Sequence, residues 1–373
     1  MIFYCSLIIV YCSLIIAMAF WNKKIISPDN KYLGLDLSDL SVKVFQLEKK
    51  GNIDKIRSYN SKSISPGLID NGKIINKEKV GLIVKEAVEK SGPKKISSRK
   101  VVCSLPESKV FLRIISIPRI SEEEAREAVK WEIEASIPLS ADQVYYDWQF
   151  LDQEDNKQNV LTVAVSKEVV DDLIYVLEYA GLSVYALEME SIASVRSLIP
   201  KNASKNESYL IVDMGGDKTS FVITKSNIPH FTSSIPFSAD GITDSIAKCL
   251  NISKQEAEKI KTLRGIEHFS EDDSIFNSVK PFLENLSVEI EKTLDFYQDM
   301  SKIPAKINRI IISGGGANLK GLVPYLTTRL KKEVVLGDPW INLNLGKNLP
   351  PVSRENSISY ATAVGLAMRE TDS

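Results

Sequence analysis

Apolar runs that end on an aspartate occur twice in this chain. Tyr32-Leu-Gly-Leu-Asp36-Leu-Ser-Asp-Leu-Ser-Val-Lys43-Val-Phe-Gln-Leu47 aligns without a gap on Tyr209-Leu-Ile-Val-Asp213-Met-Gly-Gly-Asp-Lys-Thr219-Ser-Phe-Val-Ile-Thr224, at a constant offset of 177. Each copy predicts an apolar strand, a tight turn and a second strand. So wide a spacing excludes a stacked solenoid and points to two similar lobes. A third apolar run, Ile310-Ile-Ile312, leads into Ser313-Gly314-Gly315-Gly316-Ala317-Asn318-Leu319 and then a helical pattern from Lys320 to Leu330.

Between the two copies the pattern changes period. Val101 to Leu105 and Val110 to Ile117 read as strands around Pro106. Ser121-Glu-Glu-Glu124 is a capping box that opens a helix with Ala125, Val129, Ile133 and Ile137 on one face before Pro138 stops it. Strands follow at Val144 to Phe150 and Val160 to Val165. A second helix carries Val170, Leu173, Ile174 and Leu177 and ends near Gly181. This alternation predicts a compact inserted α+β module over 99–182. The remaining divisions are an apolar N-terminal segment (1–27), a first lobe (28–98 with 183–205) and a second lobe (206–373) with a helical part at about 240–303.

Composition narrows the function classes. The chain has 373 residues, 44% hydrophobic and 25% charged, which suits a folded protein of two or more domains. Lys and Arg (47) nearly cancel Asp and Glu (48), so no summed positive field draws in nucleic acid, while a local basic patch stays open. Four cysteines without a C-x-x-C pair, and two histidines, disfavour a zinc site or a disulfide framework and fit a reducing, cytosolic compartment. Ile2 to Trp21 runs for 20 residues without a charge and is followed by Lys23 and Lys24. At ~1.5 Å per residue that length just spans a bilayer core of ~30 Å. It reads either as a membrane anchor with its lysines on the cytoplasmic side or, because YCSLII occurs twice ahead of Met18, as a start assigned too far upstream.

Asp-tipped hairpins offer carboxylates for Mg²⁺ and turn N–H groups for phosphate oxygens, although aspartate is also common in plain turns. The glycine triplet at a strand-to-helix turn lets backbone approach a ligand closely. Neither a P-loop nor a dinucleotide fingerprint is present.

In their order, Asp hairpin, Asp hairpin and Gly-Gly-Gly turn resemble the phosphate and adenosine elements of the actin, heat-shock chaperone and sugar kinase superfamily. Val101-Val-Cys-Ser-Leu-Pro106, Arg113-Ile-Ile-Ser-Ile-Pro118, Trp131-Glu-Ile-Glu-Ala-Ser-Ile-Pro138 and Tyr146-Asp-Trp148 are similar to the inserted subdomain of the PilM family of type IV pilus assembly, to which FtsA of cell division is related. The resemblance runs from about Lys31 to Met368. It implies an α/β class chain with a duplicated actin-like (ribonuclease H-like) ATPase fold, two lobes and an inserted α+β subdomain, with ATP and Mg²⁺ in a cleft.

Carried over residue by residue, the resemblance makes Asp36 and Asp213 the metal-proximal aspartates and Lys43 the phosphate-contacting lysine. Ser38 falls in the first phosphate turn, and Gly215, Gly216 and Thr219 in the second. Glu190, in Glu190-Ser-Ile-Ala193, matches the glutamate that positions the attacking water; as a plain residue it is an N-terminal helix charge. Glu258 and Lys261 match an E-x-x-K pair near the ribose and adenine; on residue chemistry alone they read as solvated helix surface. Gly315, Gly316 and Asn318 match adenosine-facing turns. Where PilM proteins usually have Gly-Ser, this chain has Ser38-Asp39. A carboxylate ~4 Å from a phosphate would cost roughly 1 to 4 kcal/mol, unless Asp39 points away or joins the metal's water shell. The function implied is a nucleotide-dependent scaffold of pilus assembly, at most a slow ATPase, on the cytoplasmic face of the inner membrane. Its partners would be the N-terminal peptide of a PilN-like single-span membrane protein, held in a groove between the first lobe and its insert, and other pilus components. Self-association stays open. The alternatives are an FtsA-like division protein and a small-molecule kinase, for which no substrate-pocket base is evident.

Overall fold

The computed structural model describes residues 32–137, 139–154, 157–204, 207–266, 273–300, 307–347 and 352–369. The apolar N-terminal segment and Pro138 lie outside them. The chain divides into two compact units: unit 1 is Met1–Ala193 with Asn344–Asn348 and Ala363–Ser373, and unit 2 is Ser194–Leu343 with Leu349–Thr362.

In unit 1 the first strands are β1 (Leu33–Leu37), β2 (Ser41–Lys50) and β3 (Ile53–Ser63). A short hairpin, β4 (Ile69–Asp70) and β5 (Lys73–Ile74), precedes helix α1 (Lys77–Glu89), then β6 (Gly92–Pro93) and β7 (Lys100–Leu105). Next come β8 (Val110–Pro118), α2 (Glu122–Ser136), β9 (Val144–Glu154), β10 (Lys157–Ser166), α3 (Lys167–Tyr179) and β11 (Ser183–Met189). One sheet has the order β11-β7-β1-β2-β3-β6, with β11, β7 and β1 parallel. Every residue of β1 is buried, as a central strand covered on both faces requires. On one face α1 and α3 bury Val80, Val84, Leu173 and Val176 against Leu35, Val44, Val101 and Cys103. Gly34 sits where a Cβ would lie 2.3 Å from the Ala363 carbonyl oxygen, so a side chain there would push the C-terminal segment off the sheet.

A separate sheet, β8-β10-β9, packs on α2 through Ile115, Ile117, Val129, Ile133, Val144 and Val160. The capping box forms in full: Ser121 accepts from the Glu124 N–H, and Glu124 accepts from the Ser121 N–H. Those bonds, first from the Ser121 backbone and then from its hydroxyl, hold the Glu124 carboxyl below its ordinary range. The sequence reading placed Val101–Leu105 and the helix after Ser166 within the inserted module. Both instead belong to the large sheet and its core, with β7 between β1 and β11 and α3 packed beside α1. Apolar periodicity reports that a strand is buried, not which sheet buries it.

Unit 2 contains β12 (Ser208–Met214), β13 (Thr219–Lys225), β14 (Ile228–Ile235), α5 (Ala239–Leu250), α6 (Lys254–Leu263) and α7 (Ser274–Met300), after a helix α4 (Glu190–Leu198) that begins in unit 1. It continues with β15 (Ile307–Ser313), α8 (Leu322–Leu330), β16 (Val334–Leu336) and a short α9 (Arg354–Ser357); helix α10 (Ala361–Ala367) starts in unit 2 and returns the chain to unit 1. Its sheet runs β14-β13-β12-β15-β16, parallel across β12, β15 and β16. Read from the other side, this is the order β11-β7-β1-β2-β3 with the same strand directions. The duplication in the sequence is therefore a duplication of topology. Among the described residues no helix is long and apolar enough to cross a membrane.

Candidate functional site

In open α/β sheets, ligands collect beyond the carboxyl ends of the parallel strands. In unit 1 those ends bring together Asp36, Ser104 and Glu190. Asp36, at the end of β1, is 7% exposed; its Oδ1 accepts from the Ser104 hydroxyl at 3.2 Å, and Lys43 Nζ lies 3.5 Å from its Oδ2. Asp36 and Lys43 are register partners across β1 and β2, which places the amine on the carboxylate. The same Ser104 hydroxyl accepts from the Leu37 N–H, tying β7 to the turn. The turn is closed by the Ser38 N–H on the Ser41 carbonyl at 2.9 Å, and the Ser38 and Ser41 hydroxyls lie 3.0 Å apart. Lys43 also donates to Ser41 Oγ.

Glu190 stands at the first position of α4 and accepts from the Glu107 N–H at 3.4 Å, while buried Glu107 accepts from the Ser191 N–H at 3.1 Å. Each acid caps the element that carries the other. Between Asp36 and Glu190 runs β7, where the Cys103 thiol is pushed well above its ordinary value, by burial first and then by the Asp36 charge, with Glu190 adding to it.

Asp39 points away from the turn mouth. It is 4% exposed, and its Oδ1 accepts from the Gly72 N–H at 2.8 Å in the β4–β5 turn. Of the readings for Asp39, this hydrogen bond to the neighbouring hairpin supports the one in which the carboxylate points away. Its Oδ2 is buried without a partner among the described residues.

In unit 2 the corresponding turn is closed by the Gly215 N–H on the Lys218 carbonyl at 2.9 Å. Here glycine replaces hydroxyls, and the turn carbonyls receive a helix: the Ala239 N–H reaches Gly215 O at 3.1 Å and the Asp240 N–H reaches Gly216 O at 3.4 Å. Thr219 is fully buried and donates to the Phe237 carbonyl, so it braces the turn from behind. Asp213, next to last in β12, lies opposite Ser313 of β15. Gly314, at φ +83°, packs so closely that a Cβ would lie 2.4 Å from Asp213 Oδ1 and 2.5 Å from Met214 O. A Cβ on Gly316 would meet Met214 and Ala239, whereas exposed Gly315 has open space around it. Ser313 Oγ and Asn318 Oδ1 are buried without a partner among the described residues. Orphaned polar atoms beside an open glycine backbone fit a polar ligand that would satisfy them.

Of the Glu258 and Lys261 pair, Glu258 is exposed as a surface acid, but Lys261 is not solvated surface. Lys261 is 4% exposed; its amine bonds Thr243 Oγ1 at 2.8 Å and the Ala239 carbonyl at 3.2 Å, and pairs with half-exposed Glu258 at 2.7 Å. The Thr243 hydroxyl reaches Glu258 at 2.6 Å, so α6 is pinned to the start of α5. Sequence reasoning missed Ser104, Glu107 and Thr243 as partners. The only available signal was a serine inside a fully apolar strand and an acid just after its terminal proline.

Among the described residues no three His, Cys, Asp or Glu side chains are grouped to hold a metal by themselves. Aspartate carboxylates such as Asp36 and Asp213 are hard oxygen donors, the type of which Mg²⁺ commonly takes one or two beside waters and ligand phosphates.

The profile of the family described as "Type IV pilus assembly protein PilM" matches residues 34–371. FtsA, the cell division protein of Bacillus subtilis, is 23% identical over 193 residues, 47% of this chain and 43% of that protein. For FtsA of Pseudomonas aeruginosa the figures are 28% over 235 residues, 57% and 53%. The chain spans about half the length of these curated relatives. Among solved structures, a chain of the PilM-PilN type IV pilus biogenesis complex is 25% identical with a TM-score of 0.74, over 90% of this chain and 97% of that one. Ethanolamine utilization protein EutJ of Carboxydothermus hydrogenoformans (16%, TM-score 0.55, 91% and 90%) and MreB5 of Spiroplasma citri bound to ADP (14%, 0.51, 90% and 94%) are alike in fold alone. The fold is actin-like and of the α/β class, as the resemblance implied.

Proposed function

This chain belongs to the family of the type IV pilus assembly protein PilM, and from that premise we propose that it binds Mg-ATP and acts as a nucleotide-dependent scaffold for a PilN-like membrane protein. The observation that carries the nucleotide reading is the pair of equivalent turns, each closed by one 2.9 Å backbone bond and each following an aspartate at a strand's carboxyl end. Asp36 and Asp213 would hold Mg²⁺, which when bound offsets phosphate charge. Lys43 stands ready for a phosphate oxygen, and Gly215, Gly216 and Ser38 offer backbone N–H groups or a hydroxyl. Gly315, Gly316 and Asn318, with Glu258 and Lys261 bracing α5, are the groups for the nucleoside. Glu190, fixed by Glu107, is the carboxylate that would orient water; held by a backbone N–H, it supports at most slow hydrolysis. Loss of ATP binding in Asp213→Ala with the fold intact is the expected result.

For the partner, the small sheet offers an exposed edge. Among the described residues β8 pairs only with β10 in its sheet, and Phe111, Arg113 and Ile115 line a small cleft against Glu132, Ile133 and Ile137. An extended peptide would gain main-chain bonds along β8, while that cleft, with room for little more than a water, would take only a side-chain tip. We take the inserted module as β8 to β10, since removing 99–182 would also take β7 out of the large sheet and α3 off its face. Fluorescence polarisation with the partner's N-terminal peptide tests this: micromolar binding that weakens at least tenfold in Phe111→Ala supports it. No binding to the intact chain would favour an FtsA-like role at the inner membrane, a reading that the FtsA relatives keep in play.

A further inference from the structure

The large sheet of unit 1 is electrically polar, and its amino edge carries a basic rim that the nucleotide reading does not use. The register Val184, Val101, Leu33, Gln46, Ser58 and Pro93 forms one row across all six strands. On the carboxyl side of that row lie Asp36, Asp39 and Glu190. On the amino side the chain places Lys49 and Lys50 at the end of β2, Lys94 and Lys95 after β6, and Arg99 and Lys100 at the start of β7. All six are exposed.

Lys55 of β3 and Lys85 near the end of α1 extend the rim, and Lys85, Lys95 and Arg99 line one open groove. Among the described residues none of these eight cations forms an ion pair; Arg99 donates instead to the Gly181 carbonyl at 3.1 Å. The acids at the same edge are mostly engaged. Glu48 pairs with Arg57, Glu86 with Lys62 and Lys90, and Asp54 accepts from the Asn344 N–H. Asp54, whose partner is a neutral N–H, keeps its charge, so Asp54, Glu89 and Glu178 stand against the eight. In a chain of net charge −1, this is a strong local excess.

We propose that this rim docks unit 1 directly on an anionic lipid surface. From β7 to β6, five strands at ~4.8 Å spacing spread the charge over roughly 19 Å, too wide for a single small anion and suited to an extended charged surface. Lipid is favoured over other polyanions by where residues 1–31 join the fold. Tyr32, which enters β1 and stacks on Tyr185 at 4.2 Å, stands at this same edge. The sequence ahead of it has 20 consecutive uncharged residues followed by Lys23 and Lys24. The inference depends neither on nucleotide binding nor on the peptide partner.

The test is vesicle co-sedimentation of the full chain, with phosphatidylcholine alone and with a three-to-one mixture of phosphatidylcholine and phosphatidylglycerol. Binding should favour the anionic vesicles and fall as salt rises. Each Lys→Gln change on the rim should weaken partition about fivefold, so Lys49→Gln, Lys50→Gln, Lys94→Gln and Lys95→Gln together should weaken it roughly 600-fold. Lys331→Gln with Lys332→Gln in unit 2 should leave it unchanged. Equal binding to both vesicle types, binding unaltered by the four substitutions, no binding to either vesicle, or binding to a DNA duplex tighter than to the anionic vesicles would each overturn the proposal.

Discussion

Hairpin β1–β2 of unit 1 and hairpin β12–β13 of unit 2 share a backbone and differ in almost every side chain around it. Ser38 to Ser41 and Gly215 to Lys218 close by the same bond at the same distance. In unit 1 side chains organise the turn: Lys43 neutralises Asp36, two serine hydroxyls fill the mouth, and Asp39 ties the turn to Gly72. In unit 2 glycines clear the turn, a helix start caps its carbonyls, and a second glycine turn packs on the aspartate. One backbone device can thus be built from charge or from the absence of side chains. The two solutions should fail in different ways.

The largest effect should come from Gly314→Ala. Its positive φ and the 2.4 Å approach to Asp213 leave no room for a Cβ, so unit 2 should lose about 2–4 kcal/mol in denaturant melts. Gly315→Ala, in open space, should cost less than about 1 kcal/mol. Equal losses would mean that the close approach is not what selects glycine.

Removing an amine is the next test. Lys43→Met would strand the buried Asp36 carboxylate, and Lys261→Met would leave the Thr243 and Ala239 oxygens short of a donor; each should cost about 1–3 kcal/mol. Adding Asp36→Asn to Lys43→Met should restore part of the loss, while Glu258→Gln should not rescue Lys261→Met, since half-exposed Glu258 keeps its water. A double-mutant cycle with no coupling between Asp36 and Lys43 would break the contrast.

The smallest effect concerns Asp39. Asp39→Ser removes the acceptor for the Gly72 N–H and should cost about 1 kcal/mol, with ATP affinity changed less than about threefold. Asp39→Asn, which keeps an acceptor oxygen, should be nearly neutral. A tenfold tightening of ATP in Asp39→Ser would put the carboxylate beside the phosphates after all.

Much of this was legible in the sequence, for identifiable reasons. The offset of 177 between the hairpins is visible because buried central strands must be apolar and their aspartates are not. The capping box at Ser121 is local, and local signals transfer. What stayed hidden is tertiary. Nothing within Val101-Val-Cys-Ser-Leu says that β7 lies between β1 and β11, or that Ser104 will hold Asp36. Lys261 sits in a run of charges and reads as surface, and only the packing of α6 on α5 buries it. Asp39 showed an unusual residue at a known turn, but its direction depends on Gly72, 33 residues away.

The measurement that bears most directly on the central claim is calorimetric titration of the intact protein with ATP in the presence of Mg²⁺. The account predicts saturable binding in the micromolar to millimolar range, abolished or strongly weakened by Asp213→Ala and retained in Asp39→Asn. Well-folded protein that gives no heat with ATP would contradict it.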